Sequence, residues 1–217
     1  VEELLSKIDY AVLKATTLKA KVLEAAEYTK EFGFKTLCVL PKHISTARLV
    51  LPKERVSTVI AFPLSGIPTE LKLKEVSYAI KEGAGELDVV VNLEAVKEGD
   101  WKEVEKELKG IRELAQEEVL KLIIECCYLT EEEKKTLCEM ARDYGWDFIK
   151  TSTGFGSYGA TLFDVELLKG WCKDRVKVKA AGGIRTLEEV EAFLKVGADR
   201  VGTSSGVEIA KDLLHRR

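Results

Sequence analysis

Phe148-Ile149-Lys150-Thr151-Ser152-Thr153-Gly154 reads as a short buried strand that ends in a lysine and opens into a hydroxyl- and glycine-rich loop. Val176-Lys177-Val178-Lys179-Ala180-Ala181-Gly182-Gly183 repeats the design. Lysine is among the residues least often buried, so one at the tip of each of two core strands calls for a reason. Chemistry supplies one. A desolvated lysine beside another cation sheds its proton more readily, and the free amine attacks a carbonyl to form a Schiff base. The other reading is that both ammonium groups snorkel to solvent at the strand ends.

Outward from these two stretches, short apolar, β-branched runs alternate with longer charged segments of helical period. The strands expected are Ile8–Leu13, Thr36–Leu40, Val56–Ala61, Glu86–Val91, Val119–Glu125, Asp147–Thr151, Val176–Ala181 and Arg200–Thr203. Helical patterns follow them, among them Leu18–Phe32, Glu70–Lys81, Trp101–Ala115, Glu131–Tyr144, Thr161–Trp171 and Leu187–Lys195. Strand–helix alternation implies parallel strands with crossover helices. Eight such units in 217 residues suit a compact α/β protein of the (β/α)8 TIM-barrel class. Gly33, Gly83, Gly145 and Gly197 each close a helix before an even-numbered strand, where a left-handed residue is wanted. An open, doubly wound sheet of eight strands satisfies the same alternation. No linker or charge block divides the chain, so residues 1–217 read as a single domain with a short N-terminal helical lead-in.

Composition narrows the function. Hydrophobic residues make up 46% and charged residues 33%, ordinary for a folded protein with a charged surface. The formal net charge of -3 offers nothing to attract nucleic acid or anionic lipid. No apolar run has the length of a membrane span, and Val1–Lys7 lacks the layout of a signal peptide. The five cysteines match no zinc or redox spacing, which points to a reducing cytoplasm. His43 and His215 are the two imidazoles, too few for a histidine-based metal site. Asn92 and Gln116 are the sole side-chain amides, a thermophile's trait that the cysteines weigh against.

In a barrel the active site lies at the C-terminal ends of the strands. The polar groups there are Cys38, Asp88, Asn92, Glu125, Lys150 and Lys179. Side chains alternate faces, so Phe148 and Lys150 share the lumen with Lys177 and Lys179, while Val176 and Val178 face the helices. Two ammonium groups on adjacent strands repel, which lowers at least one pKa. Asp88 is expected three strands earlier, across the barrel mouth, to balance charge and relay protons through water; a lumen salt bridge is the plainer alternative. The loops Gly182-Gly183-Ile184-Arg185-Thr186 and Gly202-Thr203-Ser204-Ser205-Gly206 follow strands seven and eight, where barrels bind phosphate on backbone N–H groups and helix N-termini; ordinary tight turns are the plainer alternative. Cys38 ends strand two as a pocket or packing residue, and Glu125 reads as a lumen hydrogen-bonding group. Phe62, Phe155, Tyr10 and Tyr158 stand near strand ends as pocket wall or rim.

Together these segments closely resemble the deoxyribose-phosphate aldolase family. The matching pieces are Ile8-Asp9, Thr58–Leu64, Glu86–Asn92, Leu122–Glu125, Lys150–Phe155, Val178–Thr186 and Gly202–Gly206, in family order over nearly the whole chain. The most specific are the Lys150-Thr151-Ser152-Thr153-Gly154 and Lys179-Ala180-Ala181-Gly182-Gly183-Ile184-Arg185 blocks. The resemblance implies a class I aldolase without metal or cofactor, reversibly cleaving 2-deoxy-D-ribose 5-phosphate to acetaldehyde and D-glyceraldehyde 3-phosphate. It implies Lys150 as the Schiff-base lysine, Lys179 as the cation that lowers its pKa, and Asp88 as proton carrier with an ordered water. Phosphate and substrate would be held by Gly182, Gly183, Gly202, Thr203, Ser204, Ser205 and Thr151, with Cys38 in the pocket. Family members often pair, so a homo-oligomer, a dimer by preference, is expected. The partners implied are a phosphosugar and small aldehydes.

Three departures from the family pattern bear on this. Tyr10-Ala11 replaces the usual His-Thr, and Cys126-Cys127-Tyr128 replaces Thr-Cys or Thr-Gly. Leu213–Arg217 carries no counterpart of the tail tyrosine found in some members, so proton transfer is expected to proceed without it. A transaldolase-like Schiff-base enzyme would also use paired lysines and a phosphate corner. A non-catalytic phosphosugar-binding barrel would need only the corner.

Overall fold

The computed structural model describes residues 1–216. Its strands are β1 (Ile8–Val12), β2 (Thr36–Val39), β3 (Val56–Ile60), β4 (Glu86–Val90), β5 (Val119–Ile123), β6 (Phe148–Lys150), β7 (Lys177–Ala181) and β8 (Arg200–Thr203). All pair in parallel with their sequence neighbours, and β8 closes on β1 through Ile8↔Val201, Asp9↔Gly202 and Tyr10↔Thr203. Closure rules out the open sheet. The chain is a (β/α)8 barrel.

A short helix, α1 (Glu2–Leu5), precedes β1, and α2 (Lys19–Phe32) follows it. After β2 comes α3 (Ile44–Arg48), after β3 α4 (Thr69–Glu82), and after β4 both α5 (Leu93–Glu98) and α6 (Trp101–Leu114). The last four units carry α7 (Glu131–Asp143), α8 (Leu162–Cys172), α9 (Leu187–Lys195) and α10 (Gly206–His215). Every helix whose span was expected from periodicity is present within one residue at each end. Their starts are chemically marked. Thr130, Thr161 and Thr186 each accept the N–H of the third helical residue, and Thr130 with Glu133 forms a full capping box. Their stops are marked too: Gly33, Gly83, Gly145 and Gly197 all have positive φ, at 71°, 102°, 75° and 116°.

Outward-facing strand residues such as Leu37, Leu87, Ile149, Val178 and Val201 are fully buried against the helices and form the apolar core. The lumen is different. Asp9, Glu86, Asp88, Lys121, Lys150, Lys179 and Arg200 are all buried, and they fill the barrel with charge rather than the branched aliphatic layers usual in this fold. Phe148 is the aromatic in their midst, with the Arg200 guanidinium 4.7 Å from its ring centroid. Among the described residues no helix is long and apolar enough to cross a membrane.

Candidate active site

The strand register sets Lys150 of β6 directly beside Lys179 of β7, as parity requires. Both are almost wholly buried. Their ammonium groups converge on one oxygen: Lys150 Nζ lies 2.9 Å and Lys179 Nζ 2.8 Å from Asp88 Oδ2. Asp88 therefore does not stand across the mouth. It sits on β4 beneath the two lysines, fully buried, and touches them without an intervening water. The reason is depth: β4 places Asp88 level with Lys121 of β5, lower in the lumen than the strand tips. Ser57 Oγ adds a 3.4 Å contact to its other oxygen.

The cluster continues downward. Lys121 Nζ lies 2.8 Å from Asp9 Oδ2, 2.8 Å from Glu86 Oε1 and 3.1 Å from Asp88 Oδ1. Asp9 Oδ2 also lies 2.8 Å from Lys179 Nζ, and its Oδ1 accepts from Thr36 Oγ1 at 2.8 Å. Arg200 pairs with Glu86 and reaches Asp9 Oδ1 at 3.5 Å. The network thus holds four cations, Lys121, Lys150, Lys179 and Arg200, against three carboxylates, Asp9, Glu86 and Asp88.

This excess of one positive charge falls unevenly. Burial works against the charge of Lys179, but Asp88 and Asp9 outweigh it and hold its pKa above the ordinary lysine value. Lys121 is raised in the same way, by Asp88, Asp9 and Glu86 together against burial. Lys150 has the single carboxylate Asp88, shared with two other lysines. For it burial wins, Lys179 adds repulsion, and its pKa is lowered. Against the same burial, the surrounding lysines hold Asp88 and Asp9 ionised well below the usual carboxylate range. Cys38 is pushed up by burial first and then by Asp88, so it stays a thiol. Lys150 is the group in this network best placed to be a neutral amine.

Above the lysines the mouth opens into a cavity of about 250 Å3. Lys150, Lys179, Cys38, Gly182, Gly183, Gly202, Thr203 and Ser204 all line it. Three expected residues do not, the first being Asp88, which lies deeper in the lumen. Thr151 is fully buried, and its hydroxyl exchanges 3.2 Å bonds with the Ala181 N–H and carbonyl, tying β6 to β7. Ser205 sits at the N-cap of α10, where its N–H donates to Thr203 Oγ1 at 2.9 Å. Asn92 is also occupied elsewhere, capping α5 through a 3.1 Å bond from the Ala95 N–H. The glycines are needed here. Gly182 and Gly183 both take positive φ, and a Cβ on Gly202 would stand 2.8 Å from Lys179 Cε.

Several neighbours were not singled out from the sequence. Lys14 and Arg185 add exposed cations at the cavity rim, and Arg185 was visible inside the Gly-Gly-Ile-Arg block. Lys121 is a lysine centred in an apolar strand, the same signal that marks Lys150, but it lies mid-strand instead of at a tip. Of the four aromatics, Phe155 lines the cavity and meets Phe62 edge-on at 5.6 Å. Tyr10 is buried against Phe34, and Tyr158 OH lies 3.4 Å from the Cys126 carbonyl.

Fold and site together define a TIM barrel whose buried charged network presents Lys150 and Lys179 to a cavity at the C-terminal mouth, where barrel enzymes hold their active sites. Residues 7–212 match the family model described as DeoC/LacD family aldolase, and the chain belongs to that family. It is thereby an aldolase, a carbon–carbon lyase. A deoxyribose-phosphate aldolase from Thermococcus gammatolerans is 43% identical over 210 residues, covering 94% of this chain and 93% of that protein. One from Staphylococcus saprophyticus is 42% identical, covering 95% and 94%. Among solved structures, the aldolase QR15 superposes with a TM-score of 0.95 at 43% identity, covering 99% of this chain and 97% of its own. The Aeropyrum pernix deoxyribose phosphate aldolase, described as a tetramer, gives 0.90 at 31% identity, covering 100% and 93%.

Proposed function

We propose that this protein reversibly cleaves 2-deoxy-D-ribose 5-phosphate to acetaldehyde and D-glyceraldehyde 3-phosphate, through an imine on Lys150. The observation that carries this reading is the buried Lys150–Lys179 pair on one Asp88 oxygen, inside a network with one cation in excess. In the synthetic direction, the neutral Nζ of Lys150 adds to the carbonyl carbon of acetaldehyde. Uptake of one proton by that adduct and loss of water give an iminium, an electron sink that makes the methyl protons acidic. Asp88 takes one of them through a water molecule, leaving an enamine. The enamine carbon attacks the aldehyde carbon of glyceraldehyde phosphate, the new alkoxide takes up a proton, and water releases the sugar from Lys150. Lys179 stays charged beside Lys150 and keeps it from holding its own proton.

The phosphate group of the substrate sits over Gly182, Gly183, Gly202, Thr203 and Ser204, with Arg185 and Lys14 closing on it from the rim. Small residues there allow close backbone approach, and α10 adds its positive end. The enzyme works in a reducing cytoplasm, in keeping with five free cysteines. It assembles as a homodimer, which light scattering tests against the 24.2 kDa of one chain. The chemistry is tested by borohydride reduction with acetaldehyde followed by peptide mass spectrometry. A two-carbon adduct on Lys150 is expected. An adduct on Lys179 alone, or none, would overturn the assignment.

A further inference from the structure

The lumen network does not end at the reacting lysine. It runs the length of the barrel, from Lys150 at the mouth to Arg200 and Glu86 at the foot, where both border a second cavity that opens at the N-terminal ends of the strands. Each step is a direct contact: Arg200 to Asp9 at 3.5 Å, Asp9 to Lys179 at 2.8 Å, Lys179 to Asp88 at 2.8 Å and Asp88 to Lys150 at 2.9 Å. A parallel branch passes from Glu86 through Lys121 to Asp88, at 2.8 and 3.1 Å. We propose that Arg200 and Glu86 are positioning residues for the aldol reaction, which fix the protonation of Lys150 from the opposite pole of the barrel through this ladder of ion pairs. The inference rests on Lys150 as the imine-forming amine.

Charge balance among buried side chains carries the inference. The groups of this network come from every side: Asp88 and Glu86 from β4, Lys121 from β5, Lys179 from β7, Arg200 from β8, Asp9 from β1 and Cys38 from β2, while Lys177 of β7, over the Phe148 ring at the foot, is exposed to solvent and stands outside the buried count. The Cys38 thiol keeps its proton and adds no charge. Four cations face three carboxylates, so the network is balanced when one cation becomes neutral. Arginine does not give up its proton in a protein. Lys121 has three carboxylate partners and Lys179 has two, whereas Lys150 has one. Arg200 is thus the fixed charge that leaves the fourth cation in excess. Remove it, and three cations balance three carboxylates with Lys150 protonated. Remove the Glu86 charge instead, and the excess grows to two.

The two foot residues therefore push Lys150 in opposite directions, which a merely structural role would not do. The test is the pH profile of kcat/KM for deoxyribose 5-phosphate cleavage, whose acid limb reports the free enzyme. Wild type is compared with Arg200→Met, Arg200→Lys and Glu86→Gln. Arg200→Met is expected to shift the acid limb to higher pH, with a loss on the order of tenfold near pH 7 that is recovered on the alkaline side, as one charge felt through an effective dielectric near 20 allows. Arg200→Lys restores the wild-type limb, and Glu86→Gln shifts it to lower pH. Limbs that coincide, or that move the same way in Arg200→Met and Glu86→Gln, overturn the proposal. Should Arg200→Met not fold, the near-isosteric Glu86→Gln decides alone: an unmoved limb refutes the ladder. A wild-type enzyme that forms no imine on Lys150 refutes the function reading instead, so the two failures are separate.

Discussion

Lys179 makes the sharpest demand on single residues. It faces Lys150 across one register step and shares its carboxylate. Lys179→Leu would leave three cations with three carboxylates, and Lys150 would then keep its proton. The variant is expected to lose about ten- to hundredfold in kcat at pH 7, since tenfold in reactive amine follows each pKa unit, and to regain part of that toward alkaline pH. Lys179→Arg retains the charge and the low Lys150 pKa, at a loss set by the different shape of the guanidinium. A pH–rate profile of both variants checks this. An unchanged acid limb in Lys179→Leu would contradict the paired-lysine account.

Among the elements, the loop after β6 is held less by its own sequence than by Glu125. That residue ends the extension of β5 with a left-handed φ of 55° and is buried. One carboxylate oxygen accepts the Thr153 N–H at 3.1 Å and the other accepts the Thr153 hydroxyl. The Phe155 N–H then donates to Thr153 Oγ1 at 3.0 Å, fixing the turn that lines the mouth. Glu125→Gln turns an acceptor into a donor against that hydroxyl and weakens charge-assisted bonds that contribute roughly 1.5–3 kcal/mol. A rise in KM for deoxyribose 5-phosphate of about tenfold is expected, with the acid limb unmoved because Glu125 lies outside the lumen network. Steady-state kinetics across pH separates that from a shift in Lys150.

These elements also show what a sequence of this kind discloses. The long helices are legible because periodicity is backed by a terminal signal, a closing glycine at α2 and α4, a capping Asp100 at α6, Thr161 at α8, and both a threonine cap and a glycine at α7 and α9. α3 and α5, of five and six residues, are too short to show a period. Lys150 and Lys179 are legible because parity and strand ends locate them. Asp88 is legible as a lumen carboxylate, but its depth is not: height in a barrel depends on the stagger between strands, which no single strand records. Lys121, Asp9, Glu86 and Arg200 come together only on closure, when β8 meets β1 and widely separated residues share one lumen.

At the scale of the whole molecule, the proposed role of Lys150 implies that the barrel trades stability for a reactive amine. A lysine whose folded pKa lies below its unfolded value costs stability at every pH below the unfolded value, and that cost fades as pH rises between the two. Lys150→Met removes the excess cation. It is expected to raise the melting temperature at pH 7 by about 2–6 °C, equivalent to roughly 1–2 kcal/mol in a chain of this size. Lys179 and Lys121 are raised, so the sign reverses: their stabilisation is present at neutral pH and is lost as pH climbs through their folded values. Lys179→Met should therefore lower the melting temperature, because Asp9 and Asp88 lose a shared partner. Scanning calorimetry of the two variants checks the opposed signs; two shifts of one sign would not fit.

The central claim is that the lumen's surplus positive charge falls on Lys150 alone. The most direct measurement is a pH titration of the lysine Nζ resonances in the free, 15N-lysine-labelled protein, assigned with single lysine variants. Lys150 should titrate below the roughly 10.4 of an ordinary lysine, while Lys121 and Lys179 remain charged above it. A Lys150 that holds its proton past that value, or a Lys179 that deprotonates first, would contradict the account.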